Sequence, residues 1–170
     1  MALFTDKETR LEIARYNMMP VRFTDFLDTG WLRCGELELV CVEKRPSEPL
    51  RARPPTYYFE IRERGSRVGA ISLRVGYSRS MYYTGQIGYA IDPPFRGRGF
   101  AGMACRMLAP LMRSHGMTKV LITNNPENIA SRRVCEKLGA KLLRQVKIPR
   151  WHEMYSAGER YKNIFEWDIR

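Results

Sequence analysis

Residues 96–101 read Arg-Gly-Arg-Gly-Phe-Ala, and this stretch decides the fold that the sequence predicts. The preceding Asp-Pro-Pro at 92–94 ends a strand, because two prolines cannot donate to a sheet ladder. Gly97 and Gly99 let main-chain amides approach a ligand closely, and a helix beginning at Phe100 would direct its positive end to the same point. The stretch therefore predicts a phosphate-binding loop, whose two arginines add charge for phosphate oxygens.

Three other interpretations of the loop are open. Residues 97–102 fit the Gly-x-Gly-x-x-Gly pattern of dinucleotide-binding folds, but such folds expect an acidic residue about 20 positions on, and residues 117–123 contain none. A nucleoside-triphosphate loop would end in Gly-Lys-Ser or Gly-Lys-Thr, which is missing here. A glycine-rich turn that only begins a helix would account for most matches to so short a pattern. The second half of the chain weakens that alternative.

Hydrophobic periodicity predicts four helices. The first is expected at about 6–17, beginning at a capping box formed by Thr5 and Glu8, and a shorter one at 24–27. The others are expected at about 100–111 and 128–138. Pro110 should kink or fray the end of its helix, because proline lacks the amide that the helix needs.

The strands complete a mixed architecture. They are expected at 36–44, 56–62, 67–75, 86–92, 119–123, 141–148 and 164–169, with an irregular stretch at 149–163. Residues 63–66 would join the second and third strands in a hairpin. The order of a helix, antiparallel strands and then β-α-β-α-β is typical of an α/β (α+β) fold with a mixed sheet.

Composition restricts the class of protein. The 170 residues are 44% hydrophobic, and no apolar run reaches the roughly 18 residues that span a bilayer, so we expect a soluble chain with no membrane partner. The start carries neither a basic leader nor an apolar signal core, which favours a cytoplasmic location. Residues 93–170 hold 15 basic and 6 acidic groups, and so +9 of the net charge of +11. This asymmetry favours an anionic partner, either a nucleic acid or a polyphosphate cofactor.

The cysteines predict no metal site. The chain has four, at positions 34, 41, 105 and 135, without a Cys-x-x-Cys pair, and only two histidines. These residues lack the ligand spacing that is typical of zinc sites. We expect four reduced thiols, most of them in the core.

Two motifs resemble the GNAT superfamily of N-acetyltransferases, in the branch of the ribosomal-protein N-terminal acetyltransferases. The signature Arg/Gln-x-x-Gly-x-Gly/Ala falls on Arg96, Gly99 and Ala101. A Gly-Tyr-x-Ile-x-Pro segment precedes it at 88–93, and the second hallmark, Asn-x-x-Ser-x-x-x-x-Glu-Lys-Leu-Gly, matches residues 128–139. The resemblance extends from about residue 56 to 143.

This resemblance implies one GNAT domain over 1–170. Residues 1–55 would be a variable part with acceptor contacts, 56–148 the cofactor-binding core, and 149–170 a loop and closing strand. The implied fold is a central twisted, mostly antiparallel sheet with helices on both faces. Two parallel strands, ending at Asp92 and near Thr123, would splay apart and hold the pantetheine arm of acetyl-CoA.

The resemblance also assigns the residues that would bind acetyl-CoA. The pyrophosphate would lie on the amides of the loop, and main chain around Ile91 would hold the arm. The full set is Ile91, Asp92, Arg96, Gly97, Arg98, Gly99, Phe100, Ala101, Asn128 and Ser131. Helix capping is the alternative role of Asn128 and Ser131.

The implied reaction is attack by an amine on the thioester, with a main-chain amide near Ile91 stabilising the oxyanion. Many relatives use a tyrosine as the general acid that protonates the departing thiolate, at the position where this chain has Cys135. Cys135 is therefore the candidate general acid, and its alternative role is a buried core residue. A glutamate often serves as base where this chain has Gln86. Glu60 is then the candidate base, or else an exposed strand residue paired with a neighbour such as Arg74.

Three functions are compatible with these residues. The first is transfer of an acetyl group from acetyl-CoA to a primary amine of a small molecule or a protein N-terminus, with His152, Tyr155 and Tyr161 near the acceptor. The second is a catalytically silent CoA-binding protein, prompted by Gln86 and Cys135. The third is a basic RNA-binding module, which is disfavoured because the aromatic residues are not interleaved with the basic cluster. Homodimers are common in the family.

Overall fold

In the computed structural model, eight strands within the described residues, 6–51 and 53–170, form two antiparallel sheets. The larger sheet contains, in spatial order, β1 (Leu32–Cys34), β2 (Leu37–Arg45), β3 (Thr56–Glu63), β4 (Ser66–Arg74) and β5 (Ile87–Ile91). The smaller sheet contains β6 (Lys119–Asn124), β7 (Lys141–Lys147) and β8 (Tyr161–Asp168), with β8 in the centre. The helices are α1 (Asp6–Asn17), α2 (Met81–Thr84), α3 (Phe100–Ser114), α4 (Ile129–Leu138) and α5 (Glu153–Ser156).

The predicted order of elements and the mixed α/β class are confirmed. The helix predicted at 6–17 is α1, whereas Thr5 lies outside the described residues, so its capping box stays a prediction. The hairpin predicted at 63–66 turns on two residues, Arg64 and Gly65, with φ of 50° and 81°. Positive φ at both central residues matches the right-handed twist of the flanking strands. β1, α2 and α5 were not predicted.

The short helix predicted at 24–27 is wrong. This segment contains no helix, and aromatic packing fixes it instead. The rings of Phe23 and Phe26 meet edge to face with centroids 5.1 Å apart, and Phe26 lies 4.9 Å from Tyr57. Leu27 N donates to Tyr57 Oη at 2.8 Å. Contacts with a distant strand therefore override the weak local helix propensity.

Pro110 does not fray α3, which continues through it to Ser114, while the kink expected as the alternative stays a prediction. The helix has a strongly buried face on which Ala104, Leu108 and Met112 recur every four residues without exposure. These residues pack against β3 and β4 in the main core. Burying a large apolar side chain stabilises a fold by about 1.5–3 kcal/mol, which offsets the one helical hydrogen bond that proline removes.

Helices cover both faces of the smaller sheet. Val120 and Ile122 of β6 belong to the core cluster of α3, while Leu121 between them joins Ile13 and Tyr16 of α1. This alternation follows from the two-residue period of a strand. None of the helices in the described part of the chain has the length and apolar character to cross a bilayer.

The larger sheet has one face that α3 covers and one that stays open. On β3, Tyr57, Phe59 and Ile61 are buried under α3, whereas Tyr58 and Glu60 point the other way and are half-buried. A groove of about 470 Å³ follows this second face. We call it the open groove, and it includes Tyr58, Glu60, Ala70, Ser72, Gly88 and Ala90.

Candidate active site

A cleft opens between β5 and β6 because the two sheets are joined at Gln86 and separate beyond it. Gln86 N donates to Leu121 O at 2.8 Å, and Gln86 Oε1 accepts from Leu121 N at 2.6 Å. The Gln86 side chain is fully buried and also donates from Nε2 to Gly76 O at 3.0 Å. The splay predicted for this strand pair is confirmed. Gln86, considered in the sequence only as a missing base, bridges the two sheets at the root of the cleft.

The cleft edge of β5 carries main-chain groups that another strand could use. Arg74 N donates to Gln86 O, and Asp92 N donates to Val68 O. Bonded and non-bonded pairs alternate along an antiparallel ladder. Residues 88 and 90 therefore bond to β4, while Tyr89 and Ile91 direct their amides into the cleft. An extended ligand can pair with such an edge as a strand would.

The loop at 96–101 presents a row of main-chain amides. Gly97 and Gly99 have φ of 79° and 81°, the left-handed conformation that favours glycine. A Cβ on either would meet no atom within 4 Å, so the space beside both glycines is open. The first main-chain hydrogen bond of α3 runs from Met103 N to Gly99 O. The amides of residues 97–102 make no hydrogen bond to the described part of the chain. These donors at a positive helix end form an anion site.

Protein partners already hold the charged side chains around this loop. Arg96 Nε donates to Ile91 O at 3.0 Å, and Arg98 Nη1 donates to Glu63 at 2.9 Å. Asp92 accepts from Arg67 Nη1 at 3.1 Å. Both loop arginines are exposed. Their guanidinium groups would have to exchange or share these partners to reach a phosphate, whereas the amides are free to bind it.

A pair of hydroxyl groups connects β5 to α4. Tyr89 Oη of β5 and Ser131 Oγ of α4 are 2.9 Å apart. Asn128 caps α4, since its Oδ1 accepts from Ser131 N at 3.0 Å. Burial raises the pKa of the Tyr89 phenol, while its bond to Ser131 acts in the opposite direction. The phenol therefore keeps its proton at neutral pH and can donate a hydrogen bond.

Cys135 has the properties of the core residue that the sequence left as an alternative. Its side chain is fully buried, and Asn124 Nδ2 lies 3.8 Å from its Sγ. Burial raises the pKa of this thiol to about 12. Among the four free cysteines, only Cys105 and Cys135 are buried, while Cys34 is exposed and Cys41 half-buried. Cys105 and Cys135 belong to the core and the half-buried Cys41 packs against it, so Cys34 is the thiol that departs from the expectation.

Glu60 does not join the hydroxyl pair. Glu60 pairs with Ala70 of β4, and Ala70 pairs with Ala90 of β5, so these three side chains share the face of the open groove. Tyr89 precedes Ala90 and therefore points to the opposite face, toward α4. Its carboxylate accepts from Arg62 Nη2 at 2.7 Å and lies 3.9 Å from Arg67 Nε. These two arginines, rather than Arg74, are its partners.

Of the three residues expected near an acceptor, His152, unlike Tyr155 and Tyr161, lines a pocket of about 400 Å³ that shares Tyr58 with the open groove. His152 is buried and donates from Nε2 to Ser80 O at 3.2 Å, since its Nδ1 accepts from Met154 N. Tyr155 lies under the guanidinium of Arg160, 4.1 Å from the ring centroid. Tyr161 is 41% exposed at the start of β8.

The sequence did not indicate Tyr89 as a candidate catalytic side chain. Its residue was visible inside the Gly-Tyr-x-Ile-x-Pro segment, but only as a part of the motif. Its partner Ser131 lies 42 positions further along the chain. The alternation of strand faces and the position of α4 were both needed to bring the two hydroxyls together.

Comparisons with known proteins agree with this architecture. A family model described as an acetyltransferase (GNAT) domain matches residues 6–141, most of the chain. A search of curated sequences found no match to the chain.

Solved structures share the fold at low sequence identity. A protein from Vibrio cholerae, described as a putative ribosomal-protein-serine acetyltransferase, is 17% identical, with a TM-score of 0.59 over 89% of this chain and 99% of that one. A ribosomal L7/L12 α-N-protein acetyltransferase, RimL, in complex with coenzyme A is 15% identical, with a TM-score of 0.59 over 82% and 98%. The microcin C7 self-immunity acetyltransferase MccE, in complex with acetyl-CoA and AMP, is 17% identical, with a TM-score of 0.51 over 66%. The match spans 61% of that last protein's length.

Proposed function

We propose that this chain, which belongs to the GNAT acetyltransferase family, transfers the acetyl group of acetyl-CoA to the primary amine of an acceptor. The observation that carries the proposal is the row of free amides at residues 97–102, at the mouth of a cleft between two separated strands. The similar structures solved with acetyl-CoA or coenzyme A support the choice of donor.

The amides of the loop would bind the pyrophosphate of the coenzyme. Six adjacent main-chain donors, beside open space and at a positive helix end, suit a group with several anionic oxygens. The arginines at 96 and 98 lie within the same loop and would add charge at its rim. Asn128 would contribute its Nδ2 amide, because its Oδ1 is engaged by the helix cap.

The edge of β5 would hold the extended arm. Tyr89 and Ile91 direct amides into the cleft, and backbone of this kind pairs with an extended ligand without a side-chain contact. One of these amides would also donate to the thioester oxygen, where negative charge develops during attack. Removing one such donor typically lowers a rate by about 10²–10³-fold.

The hydroxyl pair would assist the leaving group. The acetyl thioester supplies an activated carbonyl carbon to which the amine nitrogen bonds while the carbon–sulfur bond breaks. Tyr89 keeps its proton at neutral pH and would donate a hydrogen bond to the departing sulfur. Ser131 lies 2.9 Å from the Tyr89 phenol and would hold it in this orientation. The amine gives up one proton and the thiolate takes one, so the reaction is balanced.

Glu60, the base that the sequence suggested, is poorly placed for this role. Glu60 faces the open groove, where an acceptor amine would arrive, but two arginines hold its carboxylate. To accept a proton from an amine, the carboxylate would have to exchange the hydrogen bonds that it receives from Arg62. This observation supports the silent CoA-binding protein as the second candidate. Both candidates predict coenzyme binding, and only the first predicts a product.

A thiol-release assay separates the two. The protein is incubated with acetyl-CoA and a panel of primary amines, and free thiol is measured with a chromogenic disulfide. We expect amine-dependent thiol release. Calorimetric binding of acetyl-CoA without thiol release for any amine would favour the silent protein, and no binding at tens of micromolar would contradict both.

A further inference from the structure

A second pocket, of about 400 Å³, adjoins the open groove and shares Tyr58 with it. Its walls come from the loop after β2, from β3 and β4, from α2 and from the segment around α5. We call it the arginine pocket. Its charged lining residues are Arg45, Arg51, Arg53, Arg74 and Glu153.

Arg74 is the arginine of this pocket that the fold leaves without a carboxylate. Its guanidinium makes one hydrogen bond within the described residues, from Nη1 to Gly85 O at 3.5 Å, the limit of such a bond, and no described carboxylate lies within 4 Å of it. Burial lowers the pKa of this guanidinium. Glu153 and Tyr58 act on this partly buried cation only through longer-range attraction, so an anionic ligand in direct contact would stabilise it.

The position of Arg74 connects the pocket to the cleft. A Cβ on Gly88 would lie 3.5 Å from Arg74 Nη1 and 3.7 Å from Nη2, so the guanidinium lies over β5. Gly88 directly precedes Tyr89, whose amide points into the cleft and whose phenol contacts Ser131. A ligand held by Arg74 would therefore lie on the open-groove face of β5, one residue from the Tyr89 amide and on the face opposite to the hydroxyl pair.

The remaining arginines form an exposed rim. Arg45 pairs with Glu43 at 2.9 Å, while Arg51 and Arg53 share Glu48 at 3.4 and 3.6 Å. These carboxylates and Glu153 offset much of the charge. Exposed pairs of this kind contribute little and exchange partners easily. They add long-range attraction for an anion, and Arg74 is the arginine of this pocket that has no directly paired carboxylate among the described residues.

An aromatic wall completes the pocket. Trp151 lines it, and the guanidinium of Arg79 lies 4.4 Å from the Trp151 ring centroid. Arg45 lies over the ring of Tyr58 at 4.9 Å and donates to its hydroxyl at 3.3 Å. Stacked guanidinium groups keep their donors at the ring edge, where a planar or tetrahedral oxyanion can accept from them.

We propose that the arginine pocket binds a phosphate or carboxylate group carried by the amine acceptor, with Arg74 as the principal contact. The inference rests on the proposed acetyl transfer and adds the class of acceptor, an amine that bears an anionic group a few bonds from its nitrogen. Arg74 selects such an acceptor and orients its amine toward β5.

Calorimetry on the full chain without acetyl-CoA tests the pocket by itself. The probes are 2-aminoethyl phosphate, 3-aminopropanoate and the neutral ethanolamine. We expect at least one of the two anionic amines to bind and ethanolamine not to bind. The anionic amine with the higher affinity would show whether the pocket prefers a phosphate or a carboxylate. R74Q should weaken binding about tenfold to a hundredfold, the effect of losing a charge-assisted hydrogen bond. R33Q is the matched control, because Arg33 is exposed, pairs with Glu38 and lies outside the pocket.

R53Q provides a second test of the pocket in case R74Q does not fold. Arg53 is exposed on the rim, and its loss should weaken anion binding by a smaller factor, about threefold, while R33Q leaves binding unchanged. Equal binding of all three probes, or equal binding by the wild type and R74Q, would overturn the proposal. Anion binding without acetyl transfer would remove the proposed function and keep the pocket. Acetylation of ethanolamine with the same kcat/KM as the anionic amines would support the proposed function and overturn the proposed role of the pocket.

Discussion

The phenol of Tyr89 and the hydroxyl of Ser131 lie 2.9 Å apart, one on the last strand of the larger sheet and the other in the first turn of α4. The contact joins the two sides of the cleft near the point where β5 and β6 separate. Neither group is charged, and burial keeps the phenol protonated. The pair is therefore suited to donate a hydrogen bond to a leaving group rather than to remove a proton.

Removing the Tyr89 hydroxyl should slow turnover without abolishing coenzyme binding. Y89F keeps the ring and its packing, so we expect kcat to fall by about 10- to 100-fold, the effect of one lost hydrogen bond to a charged group. S131A should have a similar effect, and the double variant should lose less than the product of the two because the hydroxyls act as one unit. Steady-state kinetics measure this. Y161F, at an exposed phenol, serves as control. Equal kcat for Y89F and the wild type would exclude the assigned role.

The glycine loop can be tested with a matched pair of substitutions. Gly99 and Gly158 both have positive φ, 81° and 93°, and an added methyl group at either position would meet no protein atom within 4 Å. G99A and G158A should each lose about 1 kcal/mol of unfolding free energy from backbone strain. Only G99A should weaken acetyl-CoA binding, by about tenfold or more, because only there would the methyl group meet the ligand. Urea denaturation and calorimetry give the two quantities. Similar affinity of both variants would contradict a pyrophosphate site on this loop.

Gln86 should behave as a structural residue rather than a catalytic one. In Q86L, the buried Leu121 N and the half-buried Gly76 O lose their side-chain partners. We expect the unfolding free energy to fall by about 2–4 kcal/mol, since each unsatisfied buried group costs about 1–3 kcal/mol. Denaturant titration provides the measurement. A stable Q86L with greatly reduced kcat would instead indicate a direct part in the chemistry.

Cys135 should contribute to the loss of stability at high pH. Its pKa rises from 9.0 to about 12 on folding, so the folded chain retains a proton that the unfolded chain releases. The stabilising contribution of the thiol is full below pH 9 and declines between pH 9 and 12, because the unfolded state binds fewer protons there. C135A should therefore lose stability less steeply than the wild type over this range. Chemical denaturation at a series of pH values tests it, and identical slopes would show that the thiol ionises equally in both states.

The parts that the sequence predicted are those that depend on local backbone chemistry. Two prolines, two glycines and a helix start within ten residues fix the loop at 96–101 whatever surrounds it. Gln86 shows the opposite case, because its role depends on Leu121 and Gly76, which only the folded chain brings close. The helix expected at 24–27 is wrong for the same reason, since packing on Tyr57 determines that segment.

The site was predictable on the donor side and not on the acceptor side. Motif residues of the loop and of α4 occur at fixed spacings, so their position could be read from one stretch each. Glu60 was placed on a strand correctly, but its partners Arg62 and Arg67 come from the strand itself and its neighbour. The arginine pocket draws on several separate segments, and no local pattern indicates it.

The central claim is that the chain moves an acetyl group from acetyl-CoA to an amine, and mass spectrometry of the products tests it most directly. The wild type and G99A are incubated with acetyl-CoA and the amine panel, including 2-aminoethyl phosphate and 3-aminopropanoate. We predict one acetylated amine for each coenzyme thiol released, with G99A much slower at the same acetyl-CoA concentration. Saturable binding of acetyl-CoA with no acetylated product from any amine would contradict the claim.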